Sequence, residues 1–564
     1  MRLLAHRKKD LQNVSTGRTP PKETRLRPAS REKVRQEKKQ DTKKGADLES
    51  VALALLSGIL LAAPFLYPAL HWIHYVALVP WIILLTRENV RWGWFYFLVG
   101  VYTFSIMVWG PFSIMHKAVP FLLALFFVPL FLAFAILLRR IYLRFRLPLT
   151  LLVPVVWVTT EWVRTRYSLG QIGMYSLGSS QFNHISLIQI ADITGIAGVS
   201  FLVATASGAV ADLWINRRQM SWGRLWPVGF FPVFLIGALL YGAYRNDPRN
   251  YTAGPRVAII QPNLLHYQSR AKAKGIFDKQ LEFTRAEIPS GSADLIVWPE
   301  NAVDDFLTED PSYLQGLQSL TREKGAQMVT GSYSWASQKP FMHTSAYLLS
   351  KEGAILGQYD KLYLIPWSEY MPFKEWLPTV LNRLHNMSVW AVQGYVSVGV
   401  PGDDLVLFPI ESEGRVFRFA VPICFEITNG EFARRAVAKD ADFLLNITSE
   451  GVLGSPVYTH TWALSTFRAV ENRVGVVRAG NTGISGFIDP YGRTRSLLRG
   501  KKTGRLFLEE GTLVDRVLVS EHSGSFYTRH GDLFAYLCIA VSLTLFGLSF
   551  FPRRRASNSK APGI

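Results

Sequence analysis

Cysteine is nearly absent: the 564 residues contain two. That excludes a disulfide framework, and no bond between Cys424 and Cys538 is expected, because Cys538 lies in a C-terminal apolar run. The chain has no GxSxG elbow, no HExxH pair and no Walker-type glycine loop, so serine-hydrolase, zinc-protease and P-loop chemistry have no local support. Neither a metal nor an organic cofactor is implied. Net charge is also missing from the second half: the whole chain carries +20, yet residues 245–530 hold 31 Lys/Arg against 30 Asp/Glu. The positive excess sits in the N-terminal tail and between apolar segments. That suits a membrane protein with basic loops and argues against a nucleic-acid partner. No internal repeat is legible.

What is plentiful is apolar and aromatic. With 49% hydrophobic residues, 16 Trp and 35 Phe, the chain is too apolar for one ordinary soluble domain. Residues 1–47, rich in Lys, Arg, Gln and Thr, read as a basic, largely disordered cytoplasmic tail. The basic stretch is too long for a signal peptide. Seven apolar segments follow, near 49–66, 69–86, 92–112, 118–138, 147–163, 186–213 and 225–244, and an eighth lies near 532–551. Each approaches the length a helix needs to cross a bilayer. Arg87 and Arg91, then Arg139, Arg140, Arg144 and Arg146, then Arg217, Arg218 and Arg224 occupy alternate loops, and Arg553 to Arg555 follow the last segment. The positive-inside rule then puts both termini in the cytoplasm and residues 245–531 outside, in a bacterium on the periplasmic face of the inner membrane. The expected organisation is a tail over 1–47, a seven-helix transmembrane domain over 48–245, a catalytic domain over 250–520 and a C-terminal transmembrane helix over 531–552.

Residues 250–520 alternate between the two periodicities. Strands are expected at 256–261, 294–298, 327–332, 344–349, 405–410, 417–423, 442–447, 474–479 and 484–488, and helices at 272–288, 311–324, 430–439 and 458–473. This is one α/β domain. Three of its segments deliver a reactive group beside an apolar run: Leu295-Ile296-Val297-Trp298-Pro299-Glu300, Tyr359-Asp360-Lys361, and Val421-Pro422-Ile423-Cys424-Phe425-Glu426. A lone cysteine in a strand is usually a small core hydrophobe, and a lone Glu or Lys at a strand end is usually solvated. A carboxylate, a lysine and a thiol that can converge on one sheet edge instead suggest acyl transfer through a thioester.

The motifs Val-Trp-Pro-Glu300, Tyr-Asp-Lys361-x-x-Leu-Ile-Pro-Trp-Ser-Glu369-Tyr-x-Pro and Pro-Ile-Cys424-Phe-Glu426 resemble those of the nitrilase (carbon–nitrogen hydrolase) superfamily. The helices before and behind them, and the stretch from Gln189 to Leu202, make the chain similar to the apolipoprotein N-acyltransferase family within it. The resemblance implies an αββα sandwich beside a polytopic helical membrane domain. It implies Glu300 as general base, Lys361 as oxyanion-stabilising lysine and Cys424 as nucleophile. Glu369 and Glu426 are implied as supporting residues, and the Phe425 backbone N–H as part of the oxyanion hole. Arg468 and Glu471 match family positions of structural character. The implied reaction moves a fatty acyl chain from a phospholipid donor through a Cys424 thioester to the N-terminal amine of a diacylglyceryl-cysteine apolipoprotein, without a cofactor. A membrane-tethered amidase acting on a small amide is the alternative; a transporter or scaffold with a degenerate domain is a third reading. His343, Trp367-Ser368 and the run Thr448 to Gly454 depart from the family pattern. They are expected to flank the cleft without touching the triad. The aromatic arm holding Trp367, Phe373, Trp376 and Trp390 is expected to form a flap at the membrane surface over the cleft mouth.

Overall fold

A computed structural model of the chain describes residues 28–87, 93–114, 117, 119–167, 173–218, 221–245, 251–264, 270–337, 339, 341–366, 368–370, 399–451, 454–520 and 524–552. The first helix runs from Pro28 to Leu66. The tail expected to be disordered to residue 47 is therefore helical from Pro28, because its Lys, Arg, Glu and Gln are strong helix formers. Among the described residues, five helices are long and apolar enough to cross a membrane: Asp47–Leu66, Pro68–Thr86, Gly93–Ser113, Ile196–Asn216 and Trp226–Arg245. Val119–Phe145 and Leu149–Tyr167 fill the places of the fourth and fifth expected crossings. The latter carries Glu161 and Arg164, both buried inside the bundle. The C-terminal helix, Leu533–Leu548, has 16 residues and is about 24 Å long.

The segment expected as one crossing over 186–213 is broken. Short turns at Ile185–Ile188 and Ala191–Thr194 precede the helix Ile196–Asn216. The break is at Gly195, whose φ of 63° favours glycine and whose Cβ, if present, would lie 2.6 Å from the Tyr527 ring.

Beyond the membrane helices, twelve strands among the described residues build two six-stranded sheets. The first has the order β12-β1-β2-β3-β4-β5, with β1 Tyr251–Gln261, β2 Leu295–Val297, β3 Gln327–Trp335, β4 Met342–Leu349, β5 Ile355–Asp360 and β12 Gly511–Ser520. The second has the order β11-β10-β9-β8-β7-β6, with β6 Leu407–Ser412, β7 Arg415–Ala420, β8 Phe443–Thr448, β9 Gly475–Gly480, β10 Gly486–Ile488 and β11 Thr494–Leu497. In each sheet three adjacent strands are parallel and the rest antiparallel. The topology thus repeats where no sequence repeat is legible.

Strand alternation divides the side chains between two faces. Val257, Ile259, Leu295, Val297 and Leu348 share a core with Phe408, Phe417 and Phe419 of the second sheet. Their neighbours Ala258, Ile260, Ile296, Trp298 and Tyr347 meet Phe277, Leu281, Leu317 and Leu320, which belong to the helices Arg270–Glu287 and Pro311–Lys324. Helix, sheet, sheet, helix is the expected αββα sandwich. The strands β5, β11 and β12 were not expected; β5 is a half-exposed edge of mixed polarity and carries no clear period.

Buried polar contacts fasten the sandwich to the membrane helices. Asp192 accepts from Arg473 Nη2 at 2.6 Å, Arg245 Nε at 3.0 Å and the Tyr241 hydroxyl at 2.8 Å. Arg473 also donates to Gln189 Oε1 at 2.6 Å. Glu471 Oε1 accepts from the backbone N–H of Ile196 at 2.9 Å, capping the membrane helix that starts there. Tyr175 N–H donates to His460 Nε2 at 2.9 Å. The stretch from Gln189 to Leu202 is thus the seam between the two halves, and Glu471 is part of it.

Candidate active site

Parallel strands offer ligands their carboxyl ends, and the reactive groups gather there. Glu300 follows β2 through Trp298 and Pro299. The Trp298 indole is fully buried and donates to Thr284 Oγ1 at 3.0 Å, anchoring the turn. That turn presses onto β3 at Gly331, where a Cβ would lie 2.7 Å from the Glu300 Cα. Lys361 follows β5 and is 0% exposed. Cys424 ends the run after β7 and opens the 3₁₀ turn Cys424–Thr428. Its φ of 55° is left-handed, which costs a non-glycine residue roughly 1–3 kcal/mol and marks a position held by its surroundings.

The three side chains meet. Lys361 Nζ lies 3.4 Å from Glu300 Oε1 and 2.6 Å from Glu369 Oε1. The Cys424 thiol is buried beside them, close enough that the charges of Glu300 and Lys361 both act on it. Glu300 Oε2 accepts from the Ser449 N–H at 2.8 Å. Glu369 Oε2 accepts from the Ile365 N–H at 2.8 Å, so the second glutamate both pairs with the lysine and fixes its loop.

Glu426 is a clamp. Its buried carboxylate accepts from the Tyr359 hydroxyl at 2.8 Å and from the N–H groups of Leu362, Tyr363 and Ile423 at 2.7, 3.0 and 2.8 Å. One side chain thereby ties the cysteine turn to the lysine loop. Burial still pushes its carboxyl up to about 7, against the pull of Lys361 and those donors.

Burial governs the triad's protonation as well. It raises the Glu300 carboxyl above the usual range, with Lys361 opposing. It raises the Cys424 thiol well above its ordinary value, as does the Glu300 charge. For Lys361, burial alone would lower the ammonium, but the carboxylates of Glu369 and Glu300 outweigh it and hold it charged. The resting site therefore has a neutral thiol beside a fixed cation and a carboxyl held above the ordinary carboxylate range. That arrangement is suited to moving a proton in step with attack.

One expectation changes here. The run from Thr448 touches the triad after all, through the Ser449 amide that donates to Glu300, because the end of β8 runs beside the segment leading to Cys424, with Ile447 bridged to Ile423. His343 does stay at the flank, on β4, with Nδ1 3.0 Å from the carbonyl of Val400. Trp367, Phe373, Trp376 and Trp390 lie outside the described residues.

Sequence reasoning missed the support beneath Cys424. Asn446 Nδ2 donates to the carbonyls of Pro422 and Cys424 at 2.7 and 3.1 Å. Arg478 donates to Asn446 Oδ1 and, at 3.0 Å, to Thr461 Oγ1, and pairs with Glu450 at 2.7 Å. Asn446 and Arg478 are register partners on β8 and β9 and are 0% exposed. The available signal was a polar residue in the middle of each apolar strand, in Leu-Leu-Asn446-Ile and Val-Val-Arg478-Ala.

A buried thiol, a buried carboxyl and a fixed lysine meet on an αββα sandwich of carbon–nitrogen hydrolase type, here joined to membrane helices. Residues 256–504 match the family model described as carbon-nitrogen hydrolase. Residues 57–209 match the apolipoprotein N-acyltransferase N-terminal domain. Apolipoprotein N-acyltransferase from Geobacter metallireducens is 30% identical over 519 residues, covering 88% of this chain and 95% of that protein. The protein of the same name from Chlorobaculum tepidum is 25% identical over 529 residues, covering 87% and 94%. Among solved structures, an amidase from Nesterenkonia sp. superposes with a TM-score of 0.33 at 17% identity, over 50% of this chain and 93% of that one. The chain belongs to the apolipoprotein N-acyltransferase family.

Proposed function

We propose that Glu300, Lys361 and Cys424 carry the acyl transfer of this lipoprotein N-acyltransferase in two half-reactions. In the first, Glu300 takes the thiol proton as Cys424 Sγ attacks the ester carbonyl of a phospholipid. Lys361 and the Phe425 N–H hold the oxyanion; a left-handed Cys424 followed by a right-handed turn directs successive N–H groups to one side. The ester C–O bond breaks, and the lysolipid leaves with the proton from Glu300. In the second, the N-terminal amine of a diacylglyceryl apolipoprotein attacks the thioester. The C–N bond forms, the C–S bond breaks, and the amine's proton passes by way of Glu300 to the thiolate. Glu369 and Glu426 hold the lysine and the turn in place.

The observation that carries this reading is the convergence of three strand ends on one interlocked, buried cluster in a family defined by the activity. The buried seam to the membrane helices favours lipid substrates over a small soluble amide. Intact mass after mixing the enzyme with phospholipid tests it: an acyl-sized adduct on Cys424, discharged by an amine acceptor, is expected, and its absence under turnover conditions would overturn the thioester route.

Replacing Lys361 by alanine is expected to lower turnover by about 10²-fold or more, the scale of losing one oxyanion donor. Arginine should rescue poorly, since its planar fork cannot replace a point charge held between two carboxylates. Near-wild-type turnover of Lys361→Ala would remove the lysine from the mechanism.

We also propose eight crossings, with residues 48–245 and 531–552 in the inner membrane, the 250–520 domain periplasmic and both termini cytoplasmic. A reporter fused after Ile564 should then behave as cytoplasmic, and one replacing the chain after about residue 250 as periplasmic. Periplasmic activity from the C-terminal fusion would break the eight-helix count.

A further inference from the structure

The seam holds a cleft of its own. It lies where three membrane helices meet the catalytic domain: Leu149–Tyr167 ends there, and Ile196–Asn216 and Leu533–Leu548 begin there. Helix ends of this kind sit at the height of the lipid headgroups, here in the leaflet facing the catalytic domain. The cleft, of about 640 Å³, is lined by Trp162 and Arg166 from the first of these helices and by Asp532 from the N-cap of the last. Glu431, Arg468 and Glu471 of the catalytic domain complete its charged wall. None of Glu300, Lys361 and Cys424 lines it.

Both signs of charge reach this cleft. Arg468 is buried on the helix Ser455–Asn472, and its Nη2 meets Glu471 at 3.2 and 3.4 Å. Its Nε is buried with no hydrogen-bond partner among the described residues. Gly430 leaves the guanidinium its place, since a Cβ there would collide with Arg468 Nη1. Burial pushes the Glu471 carboxyl up to about 7 despite that arginine, so near neutral pH the Arg468 charge is incompletely matched. Arg166 has Glu431 at a long 3.8 Å, and Glu431 is already gripped by Arg434 at 2.7 and 2.9 Å. Glu161, the other acid on the wall, is taken up by Trp157, Leu177 and Ser200 inside the bundle. Asp532 accepts one bond on each oxygen, from the Tyr527 hydroxyl at 3.1 Å and Trp162 Nε1 at 2.8 Å. A carboxylate offers about four acceptor sites, so capacity for a donor remains.

A buried guanidinium donor at a cleft wall calls for an acceptor, and the spare capacity of Asp532 calls for a cation. Ordered water meets such needs singly, but the cleft also opens onto an apolar stripe. Leu533, Tyr536, Leu537 and Val541 are exposed at helical spacing on the helix that starts at Asp532. The Tyr536 ring lies 5.2 Å from that of Trp162 in the cleft wall. We infer that the cleft seats a phospholipid whose headgroup carries a primary ammonium, phosphatidylethanolamine. The phosphate meets Arg468 and Arg166, the ammonium meets Asp532, and the acyl chains follow the stripe into the hydrocarbon. With the triad absent from its walls, this lipid is held at the seam and not consumed.

The test uses full-length enzyme, stripped of lipid in detergent and offered one lipid at a time, with bound lipid counted by native mass spectrometry. Phosphatidylethanolamine should be retained at least about tenfold more tightly than phosphatidylglycerol, which lacks the cation, or phosphatidylcholine, whose ammonium has no N–H, the scale of one to two charge-assisted pairs. Lipid bound near Cys424 is counted too, so the deciding comparison is with Arg166→Gln/Asp532→Asn. That variant should lose the preference while thermal unfolding and N-acylation of a detergent-solubilised substrate stay near wild type. If it does not fold, Arg166→Gln alone, which breaks one long ion pair, should weaken phosphatidylethanolamine retention several-fold. Equal retention of the three lipids, or unchanged preference in the folded variants, overturns the site. Loss of N-acylation in step with lost retention overturns it as well, by assigning the lipid to the catalytic cleft. Displacement by millimolar glycerophosphoethanolamine overturns the lipid as its occupant.

Discussion

Replacing Cys424 by serine is expected to abolish N-acylation, by about 10³-fold or more on the scale of nucleophile knock-outs, while the fold persists. Serine is nearly isosteric, and the left-handed turn at 424 is held from outside by Asn446 and Glu426 rather than by the sulfur. What fails is the chemistry. An alcohol is far less acidic than a thiol, and Glu300 is set for a thiol proton. The measurements are steady-state N-acylation, intact mass after exposure to phospholipid, and a thermal melt. Turnover within about tenfold of wild type would mean that Cys424 is not the nucleophile.

The second large effect is expected at the base. Glu300→Gln should slow formation of the acyl-enzyme by about 10²–10⁴-fold, the usual contribution of positioned proton transfer. The turn should survive, because a glutamine oxygen still accepts from the Ser449 N–H and Lys361 keeps Glu369 at 2.6 Å. The pH profile adds a readout that a structural role would not move. As the proposed base, Glu300 acts in its carboxylate form, and burial raises its pKa. The wild-type acylation rate should therefore fall as pH drops through a value above the ordinary carboxylate range, and the glutamine variant should lack that limb. Rapid-quench mass spectrometry across pH reads both. An unchanged acylation rate in Glu300→Gln would take Glu300 out of the mechanism.

The meeting of Glu300, Lys361 and Cys424 was legible because each stands at the end of a recognisable motif, and local sequence fixes which residue leaves a strand end. The sandwich was legible because β1, β2, β8 and β9 are runs of Val, Ile and Leu, whose period is plain. The duplicated sheet order was not, since topology depends on which strands pair across long separations and leaves no residue-level mark. The Glu426 clamp was readable only as part of a motif; its four donors come from Tyr359, Leu362, Tyr363 and Ile423, up to 67 residues away. The Ser449 contact was misjudged for a related reason. A backbone amide has no side-chain identity to read, so a departure in sequence said nothing about the contact it keeps.

The seam at Asp192, Arg473, Glu471 and Ile196 has a kinetic consequence. A sandwich bolted to bilayer helices by a buried ion pair and buried hydrogen bonds keeps its reaction centre at one height above the hydrocarbon. Encounter with lipid and lipoprotein then takes place in a sheet rather than a volume. The variable that sets the rate is the surface density of each substrate, its mole fraction among the surrounding lipids, and not its bulk molarity. Diluting the membrane with inert lipid should slow the enzyme even when every total concentration in the tube is unchanged, whereas adding buffer to intact vesicles should leave the rate per enzyme the same.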